Sequence, residues 1–121
     1  MRILNLTQHQ ATQEQLAEGV FEPLQEMKKT IQNLLTFDHL PTKEEIERTA
    51  QALAWLADAT GAEAAMIGGA PFLMSALEER LNALNIQPLY AFSVRESVEQ
   101  VQQDGSVRKV NVFRHLGFVE V

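Results

Sequence analysis

The segment from Ala64 to Phe92 constrains the fold more than any other stretch of the chain. AAMIG (Ala64–Gly68) is an apolar run with the length of a buried strand. GGAP (Gly68–Pro71) is a turn, with proline where helices open. Phe72, Leu73, Leu77, Leu81 and Leu84 then recur at helical spacing, and Asn85 stands where a C-terminal cap belongs. PLYAF (Pro88–Phe92) reads as the next strand. Strand, helix and strand within ~30 residues form a βαβ unit, which implies parallel strands and a right-handed crossover. A parallel sheet is buried on its faces, so the rest of the chain must supply helices to cover it.

The N-terminal half meets that demand. Arg2–Leu6 reads as a buried strand. Thr12 and Gln15 form a capping box that starts a helix, and Gly19 ends or interrupts it. After Pro23, the residues Leu24, Met27, Ile31 and Leu34 fall at helical spacing, and Leu34–Phe37 is read as a short strand. Thr42 with Glu45 is a second capping box. Ile46, Ala50, Leu53, Ala54 and Ala57 line the following helix, and Gly61 caps it. Leu53, Trp55 and Leu56 read as core or interface.

Beyond Phe92 the pattern changes. Ser97–Gln102 and Val107–Phe113 flank Asp104-Gly105, a strong hairpin signal. The sum is one α/β domain over residues 1–121. The expected architecture is a three-layer Rossmann-like sandwich, with a mostly parallel sheet and an antiparallel C-terminal β-hairpin.

Composition narrows the function. The net charge is −6, carried by residues 1–86, while residues 87–121 balance four Lys/Arg against four Asp/Glu. An acidic chain lacks the basic face that long nucleic acids require. A small anionic ligand needs only a few donors and a helix N-terminus. The absence of cysteine removes disulfides and thiolate metal sites and fits a reducing cytoplasm. No apolar run is long enough for a membrane span. HExxH, an acidic metal cluster and a Gly-x-Ser-x-Gly elbow are all missing, so neither a metal nor another cofactor is expected.

In an open parallel sheet, ligands bind beyond the carboxyl ends of the strands. Those ends are read as Thr7-Gln8-His9, Gly68-Gly69-Ala70 and Ser93-Val94-Arg95. Thr7, Gln8 and His9 either contact a ligand or cap the first helix. Gly68 and Gly69 either expose amides to a phosphate or let the helix pack closely on the sheet. Arg95 either grips a phosphate or pairs with Glu96 or Glu99. His39 reads as a surface residue, and His115 as an exposed pairing residue or a functional base.

The segment Pro88–Val121 resembles the end of small CRISPR-associated, Rossmann-like proteins related to cyclic-oligoadenylate sensor domains. Ser93, Arg95, Val98-Glu99, Asp104-Gly105, and Phe113, His115 and Phe118 carry the likeness. His9 with Thr12–Gln15 matches the N-terminal pattern, whereas Ile67–Met74 departs from the expected glycine–acid loop. The resemblance implies a small homodimer that binds, and as a ring nuclease would cleave, a cyclic oligoadenylate without metal. In that role His9 handles the proton, Arg95 stabilises charge, and Ser93 and Thr7 position the ribose and phosphate. The alternative is a non-enzymatic interaction or ligand-sequestering protein of a mobile element.

Overall fold

The computed structural model describes residues 1–121. The elements in chain order are β1 (Ile3–Leu6), α1 (Gln13–Ala17), β2 (Val20–Phe21), α2 (Gln25–Leu35), α3 (Lys43–Ala59), β3 (Ala64–Ile67), α4 (Pro71–Ala83), β4 (Gln87–Val101) and β5 (Val107–Glu120). They build one five-stranded sheet in the order β2-β1-β3-β4-β5. Strands β2, β1, β3 and β4 run parallel, and β5 closes antiparallel on β4. The three strands expected to be parallel are therefore parallel, in one sheet.

The local signals that start and stop the helices act as the sequence implies. Thr12 and Gln15 cap α1 reciprocally. At the start of α3 the box is only half made: the Thr42 side chain accepts from the Glu45 amide, while the Glu45 carboxylate meets His39 and the Thr42 hydroxyl and not the Thr42 N–H. Pro71 opens α4, and Asn85 takes a positive φ of 61° just past its end. Gly19 is required for two reasons. Its φ is +109°, and a Cβ there would lie 2.2 Å from the Met1 carbonyl oxygen. That close approach lets Ile3 N–H donate to Gly19 O and ties the α1–β2 turn to β1.

The two faces of the sheet are covered unequally. Leu4, Leu6, Ala65 and Ile67 face a large core shared with Ile31 and Leu35 of α2, Leu53 and Ala57 of α3, and Leu73, Leu77 and Leu81 of α4. The alternate residues Ile3, Ala64, Met66 and Leu89 face a cluster of six buried residues. Only the short α1 and its lead-in, with Ala11, lie on that side. The sheet curls into a half-barrel, and α1 touches both β2 and β5 across the hollow.

Four local readings need correction. Leu34–Phe37 is not a strand, because α2 runs through Leu35 and ends at an extended Thr36, with no strand following. Val20–Phe21 is a strand that the sequence reading missed, being too short for any periodicity to show. Pro88–Phe92 and Ser97–Gln102 are one continuous strand, so Ser93, Val94 and Arg95 lie mid-strand, not at a carboxyl end. β5 continues past Phe113 to Glu120, and an extra residue at Leu116 shifts its register against β4 between Phe92 and Ser93.

No helix is long and apolar enough to cross a membrane.

Candidate functional site at the β1 and β3 strand ends

The order β2-β1-β3-β4 places a topological switch between β1 and β3, where the connections leave in opposite directions. A crevice opens beyond the carboxyl ends of strands that diverge in this way. Here it has a volume of about 360 Å³ and is lined by Thr7, His9, Gln10, Thr12, Gln15, Met66, Ile67, Gly68, Tyr90 and Ala91. β4 does not stop at this edge but runs past it, so Tyr90 and Ala91 form a side wall.

Asn5 organises the β1–α1 loop. It is an amide in an otherwise apolar strand and is only 2% exposed. Its Nδ2 donates to the His9 carbonyl at 2.8 Å and to Glu22 Oε1 at 2.8 Å. Its Oδ1 accepts from Thr7 N at 3.0 Å and from Thr7 Oγ1 at 2.7 Å. The second oxygen of Glu22 accepts from the Ala11 amide at 3.0 Å. One buried amide and one carboxylate thus fold Thr7 to Ala11 into a fixed bend. The sequence reading missed both residues. The signal for Asn5 was present, since ILNL sets an amide where strand propensity disfavours one.

The polar trio divides three ways. Thr7 lines the crevice but uses its hydroxyl on Asn5. Gln8 points away, donating from Nε2 to Thr36 Oγ1 at 2.9 Å at the end of α2. His9 holds the bend with its backbone atoms and lines the crevice. Gly68 lines the crevice. Gly69 does not; at φ +142° it turns the chain into α4, and a Cβ there would meet Leu35 and Met74 at 3.8 Å. Ser93 and Arg95 are absent from the lining. Arg95 lies two pleats beyond Ala91, with its guanidinium 5.6 Å from the centre of the Phe113 ring. It pairs with neither Glu96 nor Glu99, and Glu96 instead meets Arg114 at 3.4 Å.

The crevice is lightly charged. His9 and Tyr90 are its only titratable side chains. Burial, followed by the hydrogen bond its hydroxyl donates to Glu78, holds the Tyr90 phenol well above the ordinary tyrosine range. It stays neutral, with its proton committed to Glu78 of α4 and not to the crevice. The N-terminus of α4 beside Gly68 has no side-chain cap and no acid in its first turn. That leaves the positive end of the helix dipole open to an anion, although Pro71 removes one amide.

His115 is neither an exposed pairing residue nor a crevice base. Its side chain is 2% exposed, packed edge-on to Phe118 at 4.9 Å between ring centres. Nε2 lies 3.1 Å from Glu18 Oε1, at the end of α1. This is ion-pair distance but off hydrogen-bonding geometry, so both ring nitrogens lack a hydrogen-bond partner. Its burial follows from the curl of the sheet, which brings β5 under α1. His39 is on the surface as read, with its ring between Asp38 and Glu45 at 2.8 Å each. No group of three or more His, Asp or Glu side chains is placed to hold a metal ion.

No curated protein and no solved structure gives a significant match to this chain. A family model described as the Uncharacterized protein MJ1673 family matches residues 1–119. That span covers nearly the whole chain, and the protein therefore belongs to the Uncharacterized protein MJ1673 family.

Proposed function

We propose that the crevice between the β1 and β3 strand ends binds a small anionic nucleotide. The sequence resemblance supplies the ligand class, a cyclic oligoadenylate of prokaryotic antiviral defence. The observation that carries this reading is the coincidence of three features at one point. These are the topological switch, His9 on a braced loop, and Gly68, which lines the crevice three residues before the uncapped start of α4. In the same reading the fold is a reduced Rossmann-like sandwich, with its second helical layer cut down to α1, and the protein works as a homodimer in the cytoplasm.

Cleavage without metal would use the ligand's own ribose. The 2′-oxygen attacks the adjacent phosphorus, the bond from phosphorus to the 5′-oxygen breaks, and a 2′,3′-cyclic phosphate forms. His9 takes the 2′-proton, and the leaving 5′-oxygen gains one from solvent. Charge on the phosphate falls to the α4 amides, because Arg95 reaches only a ligand longer than the crevice. One observation favours retention over cleavage: His9 is the only imidazole or carboxyl group in the lining, so acid and base roles have no second candidate there.

Incubation with cyclic tetra- and hexa-adenylate tests both, with calorimetry for binding and chromatography for product. Linear product with the parent but not with His9→Ala means a ring nuclease. Intact ligand held by the parent means a sequestering protein. No binding of either ring removes the assignment and leaves the fold alone.

A further inference from the structure

The capping box that starts α1 also sets a hydrogen-bond donor at the crevice. Gln15 lines the crevice and is only 8% exposed. Its Oε1 accepts from the Thr12 amide at 3.0 Å, and its own amide donates to Thr12 Oγ1 at 3.1 Å. The side-chain amide cannot turn over, because its NH2 group would then face the Thr12 N–H, donor against donor. The other end, Nε2, has no partner in the chain, since Gln15 makes only the two bonds of the box. The side-chain polar atoms that are both sealed from solvent and unpartnered belong to His115 alone, so Nε2 keeps an opening. Because Gln15 lines the crevice, that opening lies there.

The donor is held in place before any ligand arrives. Thr12 fixes α1 at its start. Glu18, just past its end, lies 3.1 Å from Nε2 of the buried His115 on β5. A side chain locked by such supports presents its free group in one direction. Around it the lining includes no carboxylate. No backbone carbonyl accepts from the amides of Gly68, Gly69 or Ala70, and Gly68 borders the same crevice.

We propose that Gln15 Nε2 donates to a phosphate oxygen of the ligand in this crevice and is the residue by which the site selects an anion. The assignment rests on the anionic-ligand reading of the crevice given above. Phosphate is favoured over a base because of what Gln15 has left to offer. An amide with both ends free reads adenine through paired bonds to N6 and N7. Here Oε1 is taken by the cap, so Gln15 meets acceptors only. Phosphate oxygens are acceptors only, and they suit the Gly68 amide as well. The residue type points the same way. Glu completes a capping box as well as Gln does. An ionised Glu, however, would turn a second oxygen toward the crevice and repel an anion, whereas Gln keeps the cap and leaves a donor.

The test reads the side-chain NH2 resonances of Gln15 by NMR in isotope-labelled parent protein, assigned through bonds. Inorganic phosphate and cyclic tetra-adenylate should both shift them. Adenosine, which has the base without the phosphate, should not. Gln15→Glu keeps an acceptor for the Thr12 N–H and should weaken cyclic tetra-adenylate about 10- to 100-fold by calorimetry, the scale of one charge-assisted bond. Circular dichroism melting checks that the variant is folded, and the resonances of the parent need no variant. A shift with phosphate but no binding of the ring supports the Gln15 contact and removes the cyclic oligoadenylate. Ring binding that leaves the Gln15 resonances unmoved, or that a folded Gln15→Glu retains in full, overturns the contact and leaves the proposed function standing. A shift with adenosine, or none with any of the three, overturns it too.

Discussion

Asn5→Ala is the most informative single perturbation, because one buried amide braces the whole β1–α1 bend. The substitution removes the acceptor of Thr7 N–H and the donor to the His9 carbonyl and Glu22. Each backbone group left unpaired in a buried place costs about 1–3 kcal/mol, and the hydrogen bond to a charged group contributes about 1.5–3 kcal/mol. Relaxation of the bend toward water returns part of this, so the net loss should be about 3–5 kcal/mol. For a domain of this size each kcal/mol lowers Tm by roughly 3–5 °C, giving a fall of about 10–20 °C. Differential scanning calorimetry measures it. Glu22→Gln keeps the shape and an acceptor but loses the charge, and should cost about 1–2 kcal/mol. The double variant should cost less than the sum of the two, because the shared bond is lost once. A loss below about 1 kcal/mol for Asn5→Ala, or strict additivity with Glu22→Gln, would show that packing and not this hydrogen-bond set holds the bend.

The remaining predictions concern stability. The His39 imidazole is held above its ordinary range by its bond to Asp38, then by Glu45, and it lies exposed on the surface. Its contribution is therefore complete below the unfolded value of about 6.5 and is lost as pH rises through the raised folded value; Tm measured from pH 6 to 8 should decline more in the parent than in His39→Gln, and parallel curves would refute this. Leu53→Ala empties a fully buried position under α2 and α4 and should cost about 2–5 kcal/mol in urea unfolding with an unchanged slope. Gly19→Asn and Gly61→Asn form a matched pair at positive φ. Nothing lies within 4 Å of a Cβ at Gly61, whereas the Met1 carbonyl blocks one at Gly19, so the first should destabilise by about 1–3 kcal/mol and the second by less than about 1 kcal/mol in the same assay.

Periodicity and punctuation determined the local structure. The apolar runs around β1, β3 and β4, the stripe of α3, the leucines of the α4 stripe, the Thr12 box, the Thr42 cap, Pro71, Asn85 and the Asp104-Gly105 turn acted as written, because each depends on residues within one or two turns of chain; Phe72, half exposed, lies outside the core, and Glu45 does not complete the second box. The parallel pairing of β1, β3 and β4 followed from connection length alone. Three things were settled only by tertiary structure. β2 is two residues long, so no period can show in it, and its pairing depends on Gly19 lying against Met1. The continuity of β4 through Ser93 and Arg95 is decided by β5, which supplies hydrogen bonds on past the edge of the parallel strands; a polar stretch that reads as a strand end is carried on as a ribbon. The curl of the sheet, finally, sets His115 under α1 and leaves His9, not Arg95, in the crevice. Curvature is a property of how strands pair and twist together, and no single segment encodes it.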